Sequence, residues 1–238
     1  MDKSKTRVNK AFWVSIAVIA VAIPATVFFS YLLGDRNLYI ASVIIMILAM
    51  VPFFVSFEGS KPVARYLAIL AVLTAIAVIS RVAFIWLPSF KPMAGVIIMI
   101  AMAFGSQAGF MSGALSMIVS NIIFGQGPWT PWQMFCYGLI GFVAGLLAKS
   151  RILSEKHVIR TSIISFFLAF ILSGIVLDTC SLFLMTSSIT LESAITIYLG
   201  GIVPNMTNAL ASSLCVFLLL KPFMAILNRL KMKYGLKY

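Results

Sequence analysis

Apolar residues run along this chain in long blocks separated by short polar gaps. Eight blocks are candidates for membrane helices: residues 11–33, 38–57, 66–87, 92–104, 108–124, 131–148, 161–186 and 206–220. A spanning helix needs about 20 apolar residues. The fourth block is short for that, beginning after Pro88-Ser-Phe-Lys-Pro92 and ending at Gly105-Ser-Gln107. The seventh is long, which predicts a tilt or a kink. The first follows Lys3, Lys5, Arg7 and Lys10, as a signal peptide would. It is too long for a signal core and has no small-residue cleavage site, so it reads as a retained helix.

Composition narrows the class. The chain is 62% hydrophobic and 10% charged, with a mean hydropathy of +1.09. A soluble domain carries roughly 25% charged residues. The expected fold is therefore an all-α integral membrane protein of about eight transmembrane helices. A boundary near Glu58-Gly-Ser-Lys-Pro62 divides a two-helix N-terminal hairpin (1–60) from a six-helix core (61–238) that holds every unusual polar feature.

The formal charge of +12 does not point to nucleic acid, because the basic residues fill the gaps between apolar blocks. With the N-terminus inside, fifteen of the 18 Lys and Arg fall on inner segments, Arg36 and Lys91 fall outside, and Arg81 lies within a helix. That asymmetry predicts cytoplasmic termini in the cell membrane.

Residues 124–134, Phe-Gly-Gln-Gly-Pro-Trp-Thr-Pro-Trp-Gln-Met, join two apolar blocks. A segment this rich in Gly and Pro cannot face hydrocarbon, where its backbone would lack partners. It lies at the membrane surface or lines a cavity. Gln126, Gly127, Trp129 and Trp132 then concentrate aromatic and polar groups as a ligand lid would. The same residues have blander readings. Trp129 and Trp132 suit an interfacial belt, and Thr130, Pro131 and Gln133 form a capping-box pattern.

Arg81 and Asp178 sit inside apolar blocks, where charge is costly. Arg81 lies about 9 Å and Asp178 about 12 Å from the outer ends of their predicted helices, at 1.5 Å per residue. These depths predict either a buried ion pair or a pocket lining. Ala64, Ala68, Ala71 and Ala75 keep one helical face, and Gly109, Gly113, Gly138, Gly141 and Gly145 repeat the pattern on later helices. Small residues let helices approach closely, within the chain or against another membrane subunit.

Other chemistry is poorly supported. Ser112 has small neighbours, but the sole histidine, His157, lies on an inner loop, and no lysine lies at depth to serve as a base. Cys136, Cys180 and Cys215 have no metal-ligand spacing, and His and carboxylates do not cluster as a zinc enzyme needs. No enzyme and no resident cofactor are expected. A stand-alone secondary carrier or channel is the competing class, with Arg81 and Asp178 as its only candidate coupling site.

Taken together, the chain resembles the substrate-binding S component of energy-coupling factor (ECF) vitamin transporters. The resemblance covers about residues 61–238. It rests on the alanine stripe, Arg81 leading to Pro88-Ser-Phe-Lys-Pro92, Gly105-Ser-Gln-Ala-Gly-Phe110 with Gly113-Ala-Leu-Ser116, and Ser120-Asn121 followed by the Trp-rich segment and Gly138-x-x-Gly141. It implies a six-helix core whose outer pocket is closed by the loops at 87–91, 125–130 and 187–205. Arg81, Lys91, Asn121, Gln126, Trp129, Trp132 and Asp178 would then bind a vitamin or cofactor precursor. Cobalamin-type corrinoids are one candidate, given the Trp-rich loop. Ala68, Ala71 and Ala75 would dock on a transmembrane coupling component that works with two ATPase subunits. This chain lacks a phosphate-binding G-x-x-x-x-G-K-[ST] loop of its own. It departs from the family by carrying the N-terminal hairpin.

Overall fold

The computed structural model describes residues 38–59, 63–186 and 189–234, and among these the structure is helical throughout. The helices are α1 (Leu38–Gly59), α2 (Ala64–Val82), α3 (Met93–Phe104), α4 (Ser106–Phe124), α5 (Thr130–Lys149), α6 (Val158–Ser173), α7 (Thr179–Met185) and α8 (Leu191–Tyr234). A five-residue π-helical segment, Gly174–Asp178, joins α6 to α7. Counting α6 through α7 as one, six described helices are long and apolar enough to cross a membrane, and α3 is a shorter apolar helix. The chain is a multi-pass membrane protein. The predicted helix at 11–33 lies outside the described residues.

Helix α3 forms the centre. Its sequence is apolar on every side, which suits a helix with no solvent face. Met93, Ile97, Ile98, Met99 and Ile100 are fully buried, and α2, α4, α5, α6 and α8 pack around it. At 1.5 Å per residue it is about 18 Å long, too short to span alone. Gly105, at φ 88°, ends α3 and lets α4 start at once.

The glycine pattern is internal. Helices α4 and α5 meet at backbone distance, and a Cβ on Gly109 would strike the Gly141 carbonyl. Gly113 sits equally close to the Tyr137 carbonyl, and Gly145 to the Ser106 backbone. The alanine pattern is external: Ala64, Ala68, Ala71 and Ala75 are all exposed on α2. Helix α1 packs on the α4–α5 side. There Phe53 stacks on Phe110 at 4.0 Å between centroids, and the Gln107 amide donates to Ser56 Oγ at 2.7 Å.

Three expectations about helix ends need correction. The second predicted core boundary, Leu87, is too late: α2 stops at Val82 and residues 83–87 form turns. The carbonyls this exposes are capped by Lys91, whose ammonium donates to Phe84, to Ile85 and, at 2.8 Å, to Leu87. The outer loop expected at 187–205 is mostly helix, because α8 begins at Leu191. Thr190 and Ser193 start it reciprocally: Ser193 N–H donates to Thr190 Oγ1 at 3.1 Å and Thr190 N–H to Ser193 Oγ at 3.0 Å. Pro204 is carried inside the helix, since breaking it in hydrocarbon would strand more backbone groups than the one bond a proline removes. The capping box expected at Thr130 and Gln133 does not form, because both side chains are engaged elsewhere. The seventh block, expected to tilt or kink, carries the π segment Gly174–Asp178 within it, an irregularity of the kind that bends helices.

Candidate substrate site

Antiparallel threading puts the ends of α2, α4 and α7 and the starts of α3, α5 and α8 at one end of the bundle. The connections at 83–92, 125–129 and 186–190 lie there. Buried polar side chains gather just beneath it in two neighbouring groups, both of which draw on α5.

The first group is centred on Asn121, in the last turn of α4. Its carbonyl oxygen accepts from Arg81 Nη1 at 2.8 Å. Its amide donates to Gln133 Oε1 at 2.7 Å and to Thr130 Oγ1 at 3.1 Å. Thr130 Oγ1 donates in turn to Gln126 Oε1 at 3.0 Å and accepts from Gly127 N–H at 3.2 Å. Gln126 closes the loop by donating to the Ile118 carbonyl at 2.8 Å. Arg81 also donates to Ser120 Oγ, and its guanidinium lies over the Phe124 ring at 4.3 Å. Lys91 approaches the same ring at 5.6 Å. Burial first, and then the Arg81 charge, pull the Lys91 ammonium below the usual lysine range.

This group is saturated. Asn121 has used its carbonyl and both amide hydrogens, and Lys91 spends its donors on the 83–87 turn. Four predicted site residues, Arg81, Lys91, Asn121 and Gln126, thus come together mainly as the brace that fixes two loops. Trp129 is half exposed and lays its indole over Gly127, where a Cβ would collide with the ring.

The second group lies between α5, the π segment and α8. Asp178 closes the π segment, and its carboxylate lies against Gly201, where any Cβ would displace it. Asp178 Oδ2 accepts from Asn205 Nδ2 at 2.9 Å. One turn along α8, Asn208 Nδ2 donates to the Tyr137 hydroxyl at 3.1 Å. Trp132 is buried and its ring faces Phe183 at 6.0 Å. At the neighbouring rim, Thr179 and Tyr198 hydroxyls meet at 2.6 Å.

This second group is not saturated. Trp132 Nε1 and Asn208 Oδ1 are buried without a hydrogen-bond partner, and Ser173 Oγ has only the weakly bonding Cys136 thiol beside it. Asp178 has one amide partner, although a carboxylate can accept about four hydrogen bonds. Buried polar groups are nearly always satisfied, and orphans cost more in a membrane interior than in water. Orphaned groups on facing helices are what a polar ligand or ordered water would complete.

Arg81 and Asp178 do not pair. Arg81 sits in the last turn of α2, since the helix is shorter than predicted, and its partners are on α4. Asp178 is bonded to α8. Matching depths could not reveal that their hydrogen-bond partners lie on different helices, α4 for one and α8 for the other. Tyr137, Ser173, Asn205 and Asn208 were missed as site residues. For Tyr137, Ser173 and Asn208 the signal was present, as polar side chains inside apolar blocks. Asn205 fell in the expected loop, and only a helix running through it puts it on one face with Asn208 at i, i+3 spacing.

The model for the ECF-type riboflavin transporter S component matches residues 63–225. A UPF0397 protein from Lacticaseibacillus casei (strain BL23) is 31% identical over 132 residues, covering 55% of this chain and 69% of the relative. No solved structure matches the chain. A helical membrane bundle with a braced loop end and an unsaturated polar interior, matched over most of its described length, belongs to the family of ECF-type riboflavin transporter S components.

Proposed function

We propose that this chain is the substrate-capture subunit of an ATP-driven ECF importer, oriented with both termini in the cytoplasm and its loop end outward. It binds a water-soluble vitamin or cofactor precursor beneath the loops and hands it on through a coupling component served by separate ATPases. The observation that carries the reading is the pair of unpartnered buried groups, Trp132 Nε1 and Asn208 Oδ1, beside an under-coordinated Asp178. A ligand suited to them is a flat ring system with an N–H donor for Asp178, an acceptor for Trp132 and a face for the Trp132 and Phe183 rings. A flavin has that pattern, which agrees with the substrate named in the family description, and a corrinoid with peripheral amides is the second candidate. Arg81, Lys91, Asn121 and Gln126 hold the loops in place over the ligand, and Trp129 covers it.

The test is thermal unfolding of the purified chain with riboflavin, cobalamin and other vitamins in turn. Binding to the folded state raises the midpoint by mass action, by about 2.7 kcal/mol of stability at 100 times Kd. A shift with one vitamin that disappears in Trp132→Ala supports the reading. No shift with any vitamin, together with uptake that ignores ATP, would promote the secondary-carrier class instead.

The exposed alanine face of α2 is the proposed dock for the coupling component, and α1 packs on α4 and α5. Ala71→Leu adds bulk to a face that close helix contact requires to be small. It is expected to abolish co-purification with the coupling component and leave the vitamin-induced shift intact. Loss of both together would place the stripe in the folding of the chain.

A further inference from the structure

The opposite end of the bundle carries a second built feature, unrelated to capture. A cavity of about 610 Å³ opens between the start of α6 and the middle of α8, lined by Lys156, His157, Ile159, Arg160, Ile163 and Lys221 among others. Its floor is aliphatic. Ile159 and Ile163 are 68% and 52% exposed on a helix long enough to span, so they face hydrocarbon. Its rim is cationic. Among the described residues, no carboxylate is within ion-pair distance of Lys156, Arg160 or Lys221. Arg160 gives one hydrogen bond, from Nη2 to the Arg151 carbonyl at 3.1 Å, and keeps its other donors.

Two further observations point to an anion at this rim. Helix α6 is 16 residues long, and its first residue follows His157, which makes no side-chain cap. Its positive dipole end thus has no side-chain cap from His157, itself a lining residue of the cavity. A second cavity of about 620 Å³ shares Lys156, His157 and Arg160 and adds Arg151 and Ser154. That gives room beside the phosphate position for a polar headgroup. A basic pocket between membrane helices, above a lipid-facing aliphatic groove, has the shape and charge of a phospholipid site.

We propose that this groove binds an anionic phospholipid. Its phosphate sits among Lys156, Arg160, Lys221 and the α6 N-terminus, and an acyl chain lies along Ile159 and Ile163. A free phosphate would use the rim alone and leave the aliphatic floor unoccupied. Concentration of basic residues at one membrane face is general. What sets this site apart is three cations, without a carboxylate partner among the described residues, around one cavity with an apolar floor.

The experiment is native mass spectrometry of the full chain in detergent, titrated with phosphatidylglycerol, phosphatidylcholine or glycerol 3-phosphate. Phosphatidylglycerol is expected to be retained at least tenfold more tightly than phosphatidylcholine. Combining Lys156→Gln, Arg160→Gln and Lys221→Gln should remove that preference. The equal charge change in Lys149→Gln, Arg229→Gln and Lys233→Gln should alter it less than twofold. Ile159→Trp with Ile163→Trp fills the floor without touching charge, and should also weaken phosphatidylglycerol at least fivefold. Equal losses in the two charge variants would overturn the proposal in favour of a diffuse surface field. Glycerol 3-phosphate displacing phosphatidylglycerol at equal concentration would reduce it to a headgroup anion site. No preference for phosphatidylglycerol in the unmodified chain would eliminate it.

Discussion

Two polar groups lie side by side beneath the loop end, and they differ in completeness. Around Asn121, donors and acceptors are matched almost one for one. Around Asp178, Asn208 and Trp132, buried atoms are left over. A matched network in a low-dielectric interior gains rigidity from each bond and has nothing to offer a ligand. An unmatched one costs stability until something fills it. Backbone geometry follows the same division. The Asn121 side has regular helices and a loop stapled by side chains. The Asp178 side has a π segment and a glycine, Gly201, that brings the α8 backbone against its carboxylate. Such π segments recur at functional sites because they re-aim side chains at a cost in helix regularity. The comparison assigns scaffolding to one group and recognition to its neighbour.

The largest effect is expected from Asn121→Ala. It removes three hydrogen bonds at once and leaves Thr130, Gln133 and part of the Arg81 guanidinium buried and short of partners. At about 1–3 kcal/mol for an orphaned buried group, reduced because membrane hydrogen bonds average less, the loss is about 2–4 kcal/mol. Thermal unfolding of the purified protein measures it. Folded Asn121→Ala protein at low temperature should bind ligand within about threefold of the parent. A large affinity loss without destabilisation would reverse the two roles.

Asp178→Asn should show the opposite split. The new amide oxygen can still accept from Asn205, so stability should change by less than about 1 kcal/mol. Ligand affinity should fall about tenfold, or 1.4 kcal/mol, when the carboxylate that receives the ligand donor is neutralised. Calorimetric titration with the vitamin found by thermal shift reads this directly. Unchanged affinity would remove Asp178 from the site.

The contrast also explains what the sequence could and could not convey. The seven predicted blocks that fall in the described residues were legible because hydrocarbon forces long apolar blocks, and α3 was recognisable as too short to span. Gly200, Gly201 and Pro204 read as a loop because they break helices in water. Inside a membrane the missing solvent keeps α8 continuous through them. The Thr130–Gln133 spacing is a capping pattern, but nothing local records that Asn121, nine residues earlier, claims both side chains. The working capping pair is Thr190 with Ser193, a pattern without the expected Glu or Gln. For the site, intramembrane charge drew attention to Arg81 and Asp178, and the resemblance drew it to Asn121. Neither could divide them between two networks, because depth along a helix is readable from sequence whereas the azimuth of one helix against another is not.

The smallest effect is the most diagnostic. Had Arg81 and Asp178 formed an ion pair, removing one would strand the other's charge, and the double variant would recover part of the loss. In this fold Arg81 is held by Ser120, Asn121 and the Phe124 ring, while Asp178 is held by Asn205. They share no partner. A double-mutant cycle with Arg81→Ala and Asp178→Asn should therefore be additive, with a coupling below about 0.5 kcal/mol, as expected for sites without common contacts. The single Arg81→Ala loss should be substantial, because Asn121 and Ser120 lose their donor, and the Asp178→Asn loss small. Additivity is then measured against one large and one small number, which makes a hidden interaction easy to see. A coupling above 1 kcal/mol in unliganded protein would show that the two groups communicate and that the division into two hydrogen-bond networks is wrong. The same cycle repeated with saturating ligand sharpens the result. Coupling that appears only with ligand bound would mean that the ligand itself bridges the brace and the recognition group.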